Sequence, residues 1–148
     1  MNIYFVCTGN TCRSPMAEAI LKSKNLDNVS VRSAGIFAME GGEMSENAKL
    51  ALANEGIFHN HISHSVTSED LQWADIVLTM TAAHREIILE RFPNDVGKIY
   101  TLKEYVTPYS SPDVSDPYGG DLPIYVQTYQ ELNKYLDVLV EKIRGGNL

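Results

Sequence analysis

This sequence predicts an α/β fold, a parallel sheet covered by helices on both faces, and three features point to it. Short apolar, β-rich runs alternate with segments of helical pattern, the alternation of βαβ units. A long amphipathic segment closes the chain and offers a stripe to dock on the sheet. No repeat, low-complexity tract or linker interrupts the 148 residues, so one domain spanning 1–148 is expected, long enough to bury a sizeable core.

Strands are predicted at Ile3 to Val6, Val29 to Arg32, Ile76 to Thr79 and Ile99 to Thr101. Helices are predicted at about Pro15 to Lys24, Ser45 to Glu55, Ser68 to Trp73 and Ala82 to Phe92. Ser68 followed by Glu69 and Asp70 reads as a cap with favourable first-turn charge, and Thr81 caps the next helix. From Tyr105 to Gly120 the prolines and glycines predict a long irregular loop. In an open α/β sheet such a loop arches over the carboxyl end of the first strand. Asp121 caps the last helix with Pro123 in its first turn, and Gly145 with Gly146 ends it. Its stripe is Val126, Tyr129, Leu132, Leu136, Leu139, Val140 and Ile143, at spacings of three and four.

Twelve basic against nineteen acidic residues give a net charge of −7, which argues against a nucleic-acid or anionic-membrane binder. The first strand starts within two residues, with no charged n-region or long apolar stretch before it, so no targeting segment is expected; no window approaches a membrane span. Both cysteines sit in one short loop, where they staple nothing distant, so a reducing, cytoplasmic setting is expected. A monomer is expected as well.

That loop carries the chemistry. Cys7-Thr8-Gly9-Asn10-Thr11-Cys12-Arg13-Ser14-Pro15 follows the first strand directly and runs into the first helix. Free amides at a helix start, aimed back at a turn, hold an anion. Cys7 then supplies a nucleophile, and the amides and a guanidinium favour its thiolate. Arg13 offers a planar fork to two phosphate oxygens. The amides of Thr8, Gly9, Asn10, Thr11, Cys12 and Ser14 complete a phosphate cradle, in which Gly9 permits a sharp turn and the Ser14 hydroxyl bonds the sulfur. Such a set makes a cysteine-dependent phosphatase. Asp116, in Asp116-Pro117-Tyr118-Gly119-Gly120, is the candidate general acid, a role that typically contributes ~10²–10⁴ in rate. Asp113 is its rival, and Tyr118 is placed to flank a flat substrate.

With Cys-x5-Arg-Ser-Pro at the N-terminus and Asp-Pro-Tyr near residue 117, the chain resembles the low-molecular-weight protein tyrosine phosphatases over essentially its full length. The resemblance implies a four-stranded parallel sheet with an N-terminal phosphate-binding loop, no metal and no cofactor. It implies that Cys7 becomes phosphorylated, Arg13 binds phosphate and Asp116 serves as acid and then base. Asn10, Ser33 and His61 match the hydrogen-bond network that supports the loop. Metal binding by the histidines from His59 to His64 is not expected, because no cysteine or carboxylate set accompanies them in the sequence.

Thr11, where tyrosine phosphatases carry a bulky aliphatic residue, together with Phe37 and the Asp-Pro-aromatic-Gly-Gly loop, resembles the bacterial protein arginine phosphatases. Threonine leaves room and a hydroxyl for a guanidinium whose buried N–H groups cost ~1–3 kcal/mol if unpaired. Phosphorylated proteins are therefore the expected substrates, with phosphoarginine ahead of phosphotyrosine. Cys7 and Cys12 are expected to form a protective disulfide under peroxide. Thiol-coupled arsenate reductases need further cysteines, and nucleotide P-loops need a Gly-Lys-Ser/Thr ending; this chain has neither. A phosphate-binding module without catalysis is the remaining alternative.

Overall fold

The computed structural model describes residues 1–108 and 111–146, with the side chains of Asp95 and Val96 left aside. Four strands form one sheet: β1 (Asn2–Cys7), β2 (Ser30–Gly35), β3 (Ile76–Thr79) and β4 (Ile99–Thr101). The order is β2-β1-β3-β4 and every pairing is parallel. Six α-helices connect and follow them: α1 (Arg13–Ser23), α2 (Glu46–Ala53), α3 (Ser68–Trp73), α4 (Ala82–Arg91), α5 (Leu102–Val106) and α6 (Leu122–Arg144).

The β1 side chains alternate between two cores, which is why this strand is apolar along its whole length. Ile3, Phe5 and Cys7 join α1, α2 and the α6 stripe of Leu132, Leu136, Leu139 and Val140. Tyr4 and Val6 face Leu71 of α3 and Ile88 of α4. From β1 the chain moves outward to β2, then crosses back to β3 on the other side. The carboxyl end of β1 is thus the switch point of the sheet, where open α/β folds leave a crevice. Cys7, the last residue of β1, lies there.

Several boundaries differ from the sequence prediction. β2 extends to Gly35 because Ser33, Ala34 and Gly35 pair with Phe5, Val6 and Cys7. The true cap of α3 is Thr67, whose side chain accepts from the Asp70 amide, so Ser68 is the first helical residue. The expected loop from Tyr105 is shortened at its start: a reciprocal capping box between Thr101 and Glu104 folds Leu102–Val106 into α5. A 3₁₀ segment, Pro93–Lys98, precedes β4. Tyr109 and Ser110 of the predicted loop lie outside the described residues.

Candidate active site

The five residues between β1 and α1 bend back over the sheet edge, and two devices hold the bend. Asn10 takes a left-handed conformation, φ 56°, at which its short polar side chain can bond locally. Gly35 lies beneath: a Cβ there would stand 2.5 Å from the Thr8 carbonyl oxygen and 2.8 Å from the Asn10 nitrogen. Only glycine lets the strand approach the loop so closely. The amides of Ile36 and Phe37 donate to the carbonyls of Cys7 and Thr8, both at 2.9 Å.

Asn10 is fully buried and its side chain holds several elements together. Its Nδ2 donates to Ser14 Oγ at 2.9 Å and Ser33 Oγ at 3.0 Å. Its Oδ1 accepts from the His64 amide at 3.0 Å. His61 Nε2 lies 3.0 Å from both Oδ1 and the Asn10 carbonyl oxygen, so the ring proton sits on Nε2. Burial pushes the His61 imidazole below its ordinary range. Ser63 adds a 2.8 Å bond to the same carbonyl.

Cys7 Sγ lies 2.8 Å from Ser14 Oγ, and that hydroxyl also reaches the Ala34 carbonyl at 3.3 Å. Arg13 is buried and donates through Nη1 to the Val114 carbonyl at 3.0 Å, which fixes its fork from the far loop. Asp116 Oδ2 stands 3.6 Å from Arg13 Nη2, while its Oδ1 accepts from the Tyr118 amide at 3.1 Å. Cys7, Thr8, Gly9, Thr11, Cys12, Arg13, Asp116 and Tyr118 together line a cleft of about 200 Å³. A sulfur, a guanidinium and a carboxylate from distant parts of the chain thus face one small space.

Not every predicted site residue borders that space. Asn10, Ser14, Ser33 and His61 support the loop from below. Phe37 is exposed beside it, its ring 5.0 Å from the Arg91 guanidinium, and does not line the cleft. Asp113, the rival acid, accepts from the Ala82 amide at 2.8 Å and so caps the start of α4.

Two participants went unnoticed in the sequence. His84 Nε2 lies 2.8 Å from Thr8 Oγ1. Burial, and then the charge of Arg13, push this imidazole down to about 4. The available signal was its place in the first turn of α4, after Thr81 and at the sheet edge that carries Cys7. Glu18, buried on α1, accepts from Ser33 Oγ at 2.6 Å and Lys22 Nζ at 2.6 Å. Burial works against its charge, yet His59, Lys22 and Ser33 around it hold the carboxyl down to about 2. It lies one helical turn beyond Ser14, on the same face.

This fold and this cleft define a cysteine-based phosphatase. The family model for the low molecular weight phosphotyrosine protein phosphatases matches residues 2–146, and the chain belongs to that family. It is 48% identical over 147 residues to the protein-arginine-phosphatase of Bacillus subtilis, covering 97% of each chain. With the protein-arginine-phosphatase of Geobacillus stearothermophilus it shares 46% identity over 142 residues, covering 96% of this chain and 95% of the relative. Among solved structures, YwlE arginine phosphatase as a C7S mutant with a phosphorylated active-site serine superposes with a TM-score of 0.94. That structure is 48% identical and covers 97% of this chain and 96% of its own.

Proposed function

We propose that this protein removes phosphate from phosphoarginine in proteins through a cysteinyl-phosphate intermediate. The observation that carries the reading is the cleft itself: the sulfur of Cys7, the fork of Arg13 and the carboxylate of Asp116 open onto one 200 Å³ space. The Cys7 thiolate attacks phosphorus, and the P–N bond breaks as Asp116 gives its proton to the departing guanidine nitrogen. Arg13 and the loop amides hold the equatorial oxygens, where charge builds up in the transition state. Water then attacks phosphorus, the P–S bond breaks, and the water's proton passes to Asp116. Phosphate leaves and the thiolate returns, assisted by the Ser14 hydroxyl.

Preference for the guanidinium is supported by Thr11 at the cleft wall and by the two arginine phosphatases that match along almost the whole chain. Phosphotyrosine is the second reading, favoured by the exposed Tyr118 ring at the mouth, which can flank an aromatic substrate. A reducing, cytoplasmic setting suits a thiol nucleophile, and the described residues include no helix long and apolar enough to cross a membrane. Action as a monomer, with no metal or cofactor taking part in the chemistry and no nucleic acid, belongs to the same reading.

The test compares kcat/KM on phosphoarginine and phosphotyrosine peptides, with mass spectrometry of rapidly quenched enzyme. A phosphorylated Cys7 and a higher kcat/KM on phosphoarginine are expected. A greater rate on phosphotyrosine moves the protein to the second reading. Binding of either peptide without phosphate release makes it a recognition module.

A further inference from the structure

Behind the phosphate loop, Glu18 from α1 meets His59 and His61 from the segment leading to α3. We propose that these three side chains bind a divalent transition-metal ion of the Zn²⁺ class. The carboxylate that the histidine cluster lacks in sequence is brought to it by the fold.

The donor atoms converge. His59 Nε2 lies 3.8 Å and His61 Nδ1 3.7 Å from the same oxygen, Glu18 Oε1. All three ligand atoms lie within 4.8 Å of one another. Those spacings are too long for hydrogen bonds. The two separations from Glu18 are close to the ~3.4 Å between donors around a tetrahedral ion bound at ~2.1 Å. Side-chain exposures of 9%, 14% and 5% for Glu18, His59 and His61 place the three largely out of water.

The tautomers agree with this arrangement. His61 commits its Nε2–H to the two oxygens of Asn10, which leaves a lone pair on Nδ1 facing Glu18. A lone pair against a carboxylate repels unless a proton or a metal cation lies between, and either one satisfies the pair. His59 Nε2 is buried and has no hydrogen-bond partner. The outer contacts match those of a metal centre, where a ligating histidine donates its other N–H to a carbonyl and the carboxylate is itself hydrogen-bonded. Asn10 and Ser33 make those contacts here. Two imidazoles and one carboxylate suit Zn²⁺, and a catalytic or open site leaves the fourth position to water. A cleft of about 640 Å³, bordered by Glu18, His59 and His61, provides that position and a route of entry. Lys22 bonds the other oxygen of Glu18 and is half exposed, so it competes with the ion and can swing clear. Through His61 the ion braces Asn10, the keystone of the loop.

The test uses the full chain with Cys7→Ser and Cys12→Ser, which removes both thiols and with them zinc capture in the catalytic cleft. Zn²⁺ is titrated by calorimetry, and Co²⁺ by visible absorption. The expected result is one equivalent bound, a raised melting temperature, and tetrahedral Co²⁺ bands from nitrogen and oxygen ligands. Adding His59→Ala weakens binding by more than ~10-fold, the least that losing even an outer partner does; adding Lys22→Met tightens it. His59 belongs to no helix or strand, so its variant decides the matter even if Glu18→Gln fails to fold. No stoichiometric binding by the thiol-free chain, or equal affinity after His59→Ala, overturns the proposal.

Discussion

Asp116 Oδ2 stands 3.6 Å from Arg13 Nη2, with the arginine side chain 5% exposed and the carboxylate 56% exposed. The buried cation is fixed by the Val114 carbonyl, so it marks where the exposed carboxylate meets the cleft. Replacing Asp116→Asn keeps the shape and removes the proton. The expected loss in kcat is ~10²–10⁴, with little change in binding of a phosphorylated peptide. Burst kinetics on an activated ester, whose leaving group needs no proton, separate the two steps. There the first step is spared and hydrolysis of the phosphocysteine slows. A variant equally impaired on activated and ordinary substrates would show that Asp116 is not the acid.

Thr11 lines the cleft with its hydroxyl 3.6 Å from Cys12 Sγ. Thr11→Ile adds bulk without hydrogen-bonding capacity beside the leaving group. Stranding a guanidinium N–H costs ~1–3 kcal/mol, or roughly 5- to 150-fold in rate ratio, whereas a phenyl ring loses nothing. The ratio of kcat/KM on phosphoarginine to that on phosphotyrosine is therefore expected to fall by roughly 5- to 150-fold. An unchanged ratio would remove Thr11 from the determinants of specificity.

Gly35 supplies a purely steric prediction. Its Cβ would meet the backbone at Thr8, Gly9 and Asn10 at 2.5–2.9 Å, and backbone cannot swing aside like a flexible side chain. Gly35→Ala is expected to lift the loop and lower phosphate affinity, with a stability cost of ~1–3 kcal/mol from overpacking. Inorganic phosphate protection against thiol alkylation measures the first effect, and urea unfolding the second. Full retention of both means the loop yields more easily than its contacts suggest.

Much of this arrangement was legible in the chain because local patterns encode it. The spacing from Cys7 to Arg13 after an apolar strand fixed the cradle, and the caps Thr81 and Asp121 fixed helix starts. α5 escaped because its five residues are too few for a period, and a capping box identifies it only once Thr101 ends a strand. Glu18 and His84 escaped for another reason. Their roles come from tertiary approach, to Ser33 and the histidines in one case and to Thr8 in the other. No spacing along the sequence announces such meetings. Phe37, which a motif put at the site, lies beside the cleft and not in its wall, with its ring beneath Arg91 after the turn that follows β2.

His84 makes stability depend on pH in a defined window. In the fold its imidazole titrates at about 4 instead of 6.5, because burial and Arg13 disfavour the cation more than Asp113 and Asp116 favour it. Between those values the unfolded chain binds a proton that the folded chain refuses, so stability rises with pH. The contribution is complete above 6.5 and is lost as pH falls toward 4, on the order of 3 kcal/mol in total. His84→Gln keeps a polar partner for Thr8 without a titrating ring. Urea midpoints measured from pH 4 to 7.5 should be flatter for the variant than for wild type. Parallel curves would show that other groups govern this range.

Cys12 is buried beside the nucleophile's cleft, with Sγ 3.4 Å from Tyr125 OH and 3.5 Å from Ser45 Oγ. Burial, with the Cys12 contact, pushes the Tyr125 phenol up to about 12, so it keeps its proton and can steady negative charge on the sulfur. Peroxide takes the Cys7 thiolate to a sulfenic acid. The Cys12 sulfur is then expected to attack that sulfur, with hydroxide leaving as water together with the Cys12 proton, to give a disulfide. A dithiol reductant restores both thiols, whereas further oxidation to the sulfinic acid is irreversible. Wild type should therefore regain activity after peroxide followed by reductant, and Cys12→Ala should regain much less. Tyr125→Phe should close the disulfide more slowly without preventing it. Equal recovery in wild type and Cys12→Ala would reduce Cys12 to a filler of the loop.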